Sequence, residues 1–273
     1  MIRVAVTGAG GRMGGEVCRA VDAADDLLLM AGVDPSVEGE RLGDITHITS
    51  LPGADVVAIG SVDQLDPAEV DVVVDFTHLD VSRSVLNWCA ASGIHAVVGT
   101  TGFSDEDLAA FREGFSSSNA IIAPNFAIGA VMMMRMAELA APFFETAEVI
   151  EFHHNAKRDA PSGTAMMTAQ RIEAAKSASD SEWDADPTEQ EIVAGARGGK
   201  VGGVGVHGVR MHGMVAHQEV IFGTTGETLT IRHDSIDRNS FMPGVLLATR
   251  HVGDRVGLTL GLDALLFGDS AIE

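Results

Sequence analysis

Apolar positions follow two different rhythms along the chain. In the first half they come as short unbroken runs: Ile2–Thr7, Leu27–Val33, Val72–Phe76, Ile94–Val98 and Asn119–Ala123. A run that is apolar at every position suits a strand covered on both faces, as in a parallel sheet. Between these runs lie stretches of helical spacing: one to about Ala24, one over Leu79–Ser92, and one opened by Ser104-Asp105-Glu106-Asp107. The last begins with an N-cap serine and acids in its first turn, where the helix dipole favours them. Strands alternating with helices predict an α/β fold with an N-terminal Rossmann-like parallel sheet. Residues 37–67 carry no clear period, and Val56–Ile59 is a candidate short strand.

The rhythm then changes. Ile128–Phe144 reads as an apolar helix whose Met132, Met133, Met134 and Met136 serve as core filler. Ala147–Phe152 is a strand. Pro161–Lys176 is a helix, with Pro161 in the first turn, where its missing N–H costs nothing. Ser177–Gln190 is a polar, acidic connection, and the glycine-rich Gly198–Gly208 reads as a mobile loop leading to a strand. Val215–Phe222 and Glu227–His233 are strands joined by Gly223-Thr224-Thr225-Gly226. This half predicts a second α+β domain with a mixed sheet. Ser240–Val252 is helical, and the apolar Gly257–Phe267 is expected to return to the first domain. The division expected is residues 1–126 with 241–273, and 127–240.

Composition narrows the class. At 273 residues and 46% hydrophobic content, two modest domains can each bury a core. No uncharged apolar run reaches the roughly 18 residues of a spanning helix, since Ala120–Met134 is broken by Pro124 and Asn125. Met1 leads directly into a strand without a signal-peptide pattern, so a cytoplasmic setting is expected. Cys18 and Cys89 read as small buried hydrophobes in helices, and no metal site is expected. Asp and Glu total 39 against 18 Lys and Arg, a formal charge of −21. Small soluble domains usually carry a net magnitude of about 2–8. Such a surface repels nucleic acid and anionic membranes, so neither is expected as a partner. It also suits a salt-rich cytosol, where screening relieves self-repulsion.

Two stretches carry chemistry. After the first strand comes Gly8-Ala9-Gly10-Gly11-Arg12-Met13-Gly14, spaced Gly-x-x-Gly-x-x-Gly. Small residues between strand and helix let a pyrophosphate approach the backbone and the helix start. Asp34, 20 residues beyond Gly14, can accept bonds from ribose hydroxyls. Pro35 follows it, with no Arg or Lys beside it to meet a 2′-phosphate, so NADH should serve at least as well as NADPH. Arg12 or Arg41 could still reach such a phosphate. Gly99-Thr100-Thr101-Gly102 closes another strand at the edge where open α/β sheets bind ligands. The second stretch is Glu151-Phe152-His153-His154-Asn155-Ala156-Lys157-Arg158-Asp159-Ala160-Pro161-Ser162-Gly163-Thr164. It combines two imidazoles, an ammonium, a carboxylate and a small-residue helix start that can cradle an anion. That is the make-up of a site that grips an acidic substrate and moves protons. Lys157 is one of only three lysines, with Lys176 and Lys200.

On these motifs the whole chain resembles the dihydrodipicolinate (4-hydroxy-tetrahydrodipicolinate) reductase family of the diaminopimelate route to lysine. Glu151-x-His153-His154-x-x-Lys157-x-Asp159-Ala160-Pro161-Ser162-Gly163-Thr164 matches its signature, and the glycine turn, Gly99–Gly102 and Pro124-Asn125-Phe126 fall in its order. The resemblance implies NAD(P)H-dependent reduction of a cyclic dicarboxylate. The cofactor, NADH or NADPH, would lie on Gly8, Ala9, Gly10, Gly11, Arg12 and Met13, with Asp34 on the adenosine ribose. Gly99, Thr100, Thr101, Ala123, Pro124, Asn125 and Phe126 would line the nicotinamide side. His154, Gly163 and Thr164 would hold the substrate's carboxylates, His153 would give and take the proton, and Lys157 would donate one. The residues 127–240 would be the substrate-binding domain and would assemble a homotetramer. Three departures stand out: Pro35 where some members carry Arg, Ala156 where some carry a polar residue, and Asp237-Arg238 where Ser-Arg is common. Two other classes share parts of the pattern: a two-domain NAD(P) enzyme such as an aspartate dehydrogenase, and a non-catalytic dinucleotide sensor.

Overall fold

The structure is a computed structural model that describes residues 1–268. The chain divides into two compact units, Met1–Ala127 with Phe241–Glu273, and Ile128–Ser240.

The first unit opens with β1 (Ile2–Thr7), α1 (Arg12–Asp22) and β2 (Leu27–Val33). A short helix, α2 (Leu42–Thr46), precedes β3 (Val72–Asp75), α3 (Leu79–Ser92), β4 (His95–Val98), α4 (Asp105–Gly114) and β5 (Ala120–Ile122). These strands pair in parallel. Their buried runs explain why: Val4, Ala5, Val6, Val73, Val74, Ala96, Val97 and Val98 are all at 0% exposure, so neither face of the sheet meets water. The cysteines lie in this core, Cys18 on α1 and Cys89 on α3. Burial pushes the Cys18 thiol up to about 12, and Cys89 upward too.

In the second unit, α5 (Ile128–Ala140) leads through a short 3-10 turn to β6 (Thr146–His153). Next come α6 (Gly163–Ser177), β7 (Gly199–Val201), β8 (Val204–Arg210), β9 (Ala216–Thr224) and β10 (Glu227–Ser235). The sheet order is β10-β9-β6-β8-β7. It is mixed, because β6 runs parallel to β8 and antiparallel to β9. The chain then returns to the first unit as α7 (Met242–His251), β11 (Leu258–Leu260) and α8 (Asp263–Phe267). There β11 pairs with β5 and completes a six-stranded sheet, β11-β5-β4-β3-β1-β2.

Four local expectations are corrected. Val56–Ile59 forms no strand among the described residues and only makes bridges, Ile59 to Val33 and Val57 to Arg41. Pro161 stands outside its helix. Ser162 is extended, its hydroxyl accepts from the Ala165 N–H at 3.2 Å, and α6 starts at Gly163. The side-chain cap, rather than the proline, sets the start. Gly198–Gly208 is a hairpin rather than a loop. Val204 and Val206 are buried on β8, Gly202-Gly203 makes the two-residue turn, and a Cβ at Gly205 would lie 1.9 Å from Glu148 Oε2. These glycines serve a tight turn and close packing, not mobility. On α5, Met133 and Met134 fill the core as expected, but Met132 and Met136 are exposed.

Candidate active site

In the first unit the carboxyl ends of the parallel strands carry the expected nucleotide residues. The turn from Gly8 to Gly11 leaves β1, and Gly11 caps α1 with no side-chain bond, so the first-turn N–H groups face outward. Gly14 cannot be larger, because a Cβ there would lie 2.0 Å from the Gly8 carbonyl oxygen. Gly10 and Arg12 are exposed, Met13 is half-buried and Ala9 is buried beneath the turn. Asp34 follows β2. Its carboxylate accepts from the Gly10 N–H at 3.0 Å, the Ser36 N–H at 2.9 Å and the Ser36 hydroxyl at 2.6 Å. It therefore braces the turn as well as facing the cavity.

That cavity measures about 720 Å³, within the usual range for cofactor sites. Gly8, Gly11, Arg12, Met13 and Asp34 line it. Its far wall was not foreseen from the sequence: Ser61 and Asp63 from one loop, His78 after β3, and Ser84 and Trp88 from α3. These residues follow no local motif. Gly99, Thr100 and Thr101 leave β4, and Ala123 to Phe126 leave β5. Thr100 and Ala123 are buried, Thr101 and Pro124 exposed. Asn125 Oδ1 accepts from the Ala127 N–H at 2.9 Å, and the buried Phe126 packs on Phe76 with ring centroids 5.6 Å apart. None of these seven lines the cavity around the glycine turn. Beneath the Gly99–Thr101 loop lies a buried carboxylate, Asp75, which accepts from the hydroxyls of Thr7, Thr77, Ser82 and Thr100.

In the second unit the site gathers at the end of β6. Strand alternation puts Glu151 and His153 on one face. Glu151 is fully buried. Its Oε2 lies 2.5 Å from His153 Nδ1, and its Oε1 accepts from the Ser162 N–H at 3.1 Å. Arg210, the last residue of β8, donates to both oxygens at 2.7 and 2.8 Å and to the Asp159 carbonyl at 2.6 Å. Burial pushes the Glu151 carboxyl upward, but the bonds from Arg210 and His153 outweigh it and hold the group below the ordinary carboxylate value. Burial lowers His153, Glu151 raises it, Lys157 and Arg210 lower it, and the net is below the ordinary imidazole value. Lys157 Nζ pairs with both Asp159 oxygens, at 2.8 and 2.9 Å, and that bond holds Asp159 below its ordinary value. His154 is exposed beside this loop, and Gly163 and Thr164 begin α6. A Cβ at Gly163 would meet open space, so that position faces a clearing. The sequence placed Glu151 in the motif but gave it no task, and Arg210 carried no local signal.

A parallel sheet with a glycine turn and a cofactor-sized cavity beside it, in one chain with an imidazole–ammonium site, defines an NAD(P)-dependent oxidoreductase of two units. Residues 2–126 match the family model for the dihydrodipicolinate reductase N-terminus, and residues 129–266 that for its C-terminus. The chain is 52% identical to the 4-hydroxy-tetrahydrodipicolinate reductase of Nocardia farcinica, over 97% of this chain and 98% of that one. It is 49% identical to the enzyme of that name from Mycolicibacterium vanbaalenii, over 97% and 99%. The structure resembles dipicolinate-bound dihydrodipicolinate reductase from Paenisporosarcina sp. TG-14, with 38% identity, a TM-score of 0.85, and coverage of 97% and 100%. An amine dehydrogenase from Mycobacterium smegmatis, 16% identical with a TM-score of 0.61 over 94% of each chain, shares the fold alone. The chain belongs to the dihydrodipicolinate reductase family, NAD(P)H-dependent oxidoreductases of the diaminopimelate route to lysine.

Proposed function

We propose that this chain reduces 4-hydroxy-tetrahydrodipicolinate to tetrahydrodipicolinate, with the cofactor held by residues 1–126 and 241–273 and the substrate by residues 127–240. The observation that carries the division of roles is the Glu151 carboxylate, which ties His153 to the start of α6 at Ser162. The neighbour bound to dipicolinate, a ring dicarboxylate of the substrate's class, supports the same reading.

When bound, the reduced nicotinamide supplies the hydride. The uncapped start of α1 and the tight Gly8–Gly14 turn suit its pyrophosphate, and Asp34 suits a ribose hydroxyl. Ala123 to Phe126 and Gly99 to Thr101 would flank the nicotinamide. Gly163, Thr164 and His154 would hold the substrate's carboxylates and orient its ring. Lys157 exchanges Asp159 for the substrate and stabilises electron density moving toward the ring nitrogen. His153, which burial holds below the ordinary imidazole value, gives and takes the proton. Assembly as a homotetramer through the second sheet fits its open edge at β10, where Leu229 is exposed. Light scattering should then read about four chains of 28.5 kDa. A cytoplasmic, salt-rich setting fits the charge of −21.

The test is nicotinamide absorbance in high salt with enzymatically generated substrate. Oxidation of NADH that depends on that substrate is the expected result. No oxidation by folded, cofactor-binding protein would overturn the reading in favour of an amino-acid dehydrogenase or a non-catalytic sensor.

A further inference from the structure

Glu151 has no role in the hydride and proton transfers proposed above, yet it meets four donors: His153 Nδ1, both Arg210 Nη atoms and the Ser162 N–H. Its neighbours make room for it. Gly208 stands opposite Glu151 on β8, and a Cβ there would crowd Oε1 at 3.1 Å. Arg210 stands opposite His153 on the same strand pair, so its guanidinium reaches Glu151 from the side of the imidazole.

The chemistry follows from proton counting. An ionised carboxylate only accepts, so the imidazole nitrogen against it must carry the proton. That leaves Nε2 as the nitrogen turned away from Glu151, open to accept from or donate to a ligand. Burial favours the protonated carboxyl, and without Arg210 less would oppose it. A protonated carboxyl could donate to Nδ1, and the neutral ring would carry its proton on Nε2. The two Arg210 bonds are the foremost of the contacts that favour the ionised carboxylate.

We propose that Glu151, kept ionised by Arg210, is a positioning residue for the reduction: it fixes His153 with its proton on Nδ1 and anchors the start of α6 through Ser162. This rests on His153 being the group that exchanges a proton with substrate.

The first test needs no variant. In full-length protein labelled with ¹⁵N-histidine, with His153 assigned by its loss in His153→Gln, the neutral ring should show Nδ1 protonated and Nε2 bare. The opposite tautomer would overturn the proposal. In Glu151→Gln the charges left facing His153 are Lys157 from the loop and Arg210 from β8, both of which depress it. Its titration should therefore move to lower pH, kcat should fall about tenfold or more, and NADH affinity should hold. Arg210→Met should lose the Nδ1–H tautomer and Arg210→Lys should keep it, which preserves the test should Glu151→Gln fail to fold. A structural role alone would lower the melting temperature and leave tautomer and titration unmoved; that result would refute the positioning role. A changed tautomer with unaltered kcat would refute the proton role of His153, and not its contact with Glu151.

Discussion

The glycine turn of the first unit and the Glu151 cluster of the second are built from differently spaced parts of the chain. The turn closes locally: Gly10 meets Asp34 across 24 residues, within one strand–helix–strand unit. Its proposed role runs through backbone, since small residues expose N–H groups and leave room for phosphates. The cluster works through side chains, and its central ion pair joins Glu151 to Arg210 across 59 residues and two strands. A backbone site fails when something is added to it. A side-chain site fails when something is removed. Substitutions that add or remove atoms can therefore tell the two apart.

The largest effects belong to the side-chain site. His153→Ala and Lys157→Ala should each lower kcat by about a hundredfold or more, the usual scale for losing a positioned proton donor. Steady-state rates at saturating substrate measure this, and a near-normal kcat in either variant would remove that residue from the chemistry.

Next comes the addition of one methyl group to the backbone site. In Gly14→Ala the new Cβ must displace the Gly8 carbonyl, 2.0 Å away. Overpacking of about 1–3 kcal/mol should appear as NADH binding weakened about tenfold, read by fluorescence titration. Unchanged affinity would show that the turn does not hold the cofactor.

Cofactor choice should respond more gently. Arg12 is the one Arg or Lys among the described residues lining the cavity, and Asp34 and Asp63 line it too. NADH should serve at least as well as NADPH by kcat/KM, and a hundredfold advantage for NADPH would contradict this. Pro35→Arg should raise NADPH use several-fold, since a guanidinium suits a 2′-phosphate.

The smallest effect separates stability from chemistry. Arg83 grips Asp107 through two bonds of 2.9 Å, and those bonds, with the Ser104 N–H, hold the Asp107 carboxyl down at about 2. Its unfolded value is about 3.9. A depressed folded value stabilises above the unfolded one and is lost as pH falls. Arg83→Ala should lower the melting temperature at pH 7 by about a degree or two, the scale of a solvent-screened surface pair. The gap should close between about pH 4 and pH 2, with NADH kinetics untouched.

The two sites were not equally legible in the sequence. Apolar runs and glycine spacing carry local rules, so the parallel sheet, the turn and Asp34 could be read directly. The motif from Glu151 to Thr164 was also visible as chemistry. Arg210 was not, because an arginine at a strand end has no local signature and its partner is set by strand pairing. The Gly198–Gly208 hairpin is hidden in the sequence for the same reason. Its glycines answer to Glu148 and Trp183, which approach from elsewhere in the fold. The cavity wall at Ser61, His78 and Trp88 depends likewise on how loops and α3 pack.

The measurement that tests the division of labour most directly is an NADH titration of the double variant His153→Ala with Lys157→Ala. The dissociation constant should stay within about twofold of wild type in a protein that no longer turns over. A loss of NADH affinity as large as the loss of turnover would contradict that division, because the second unit's side chains would then be holding the cofactor.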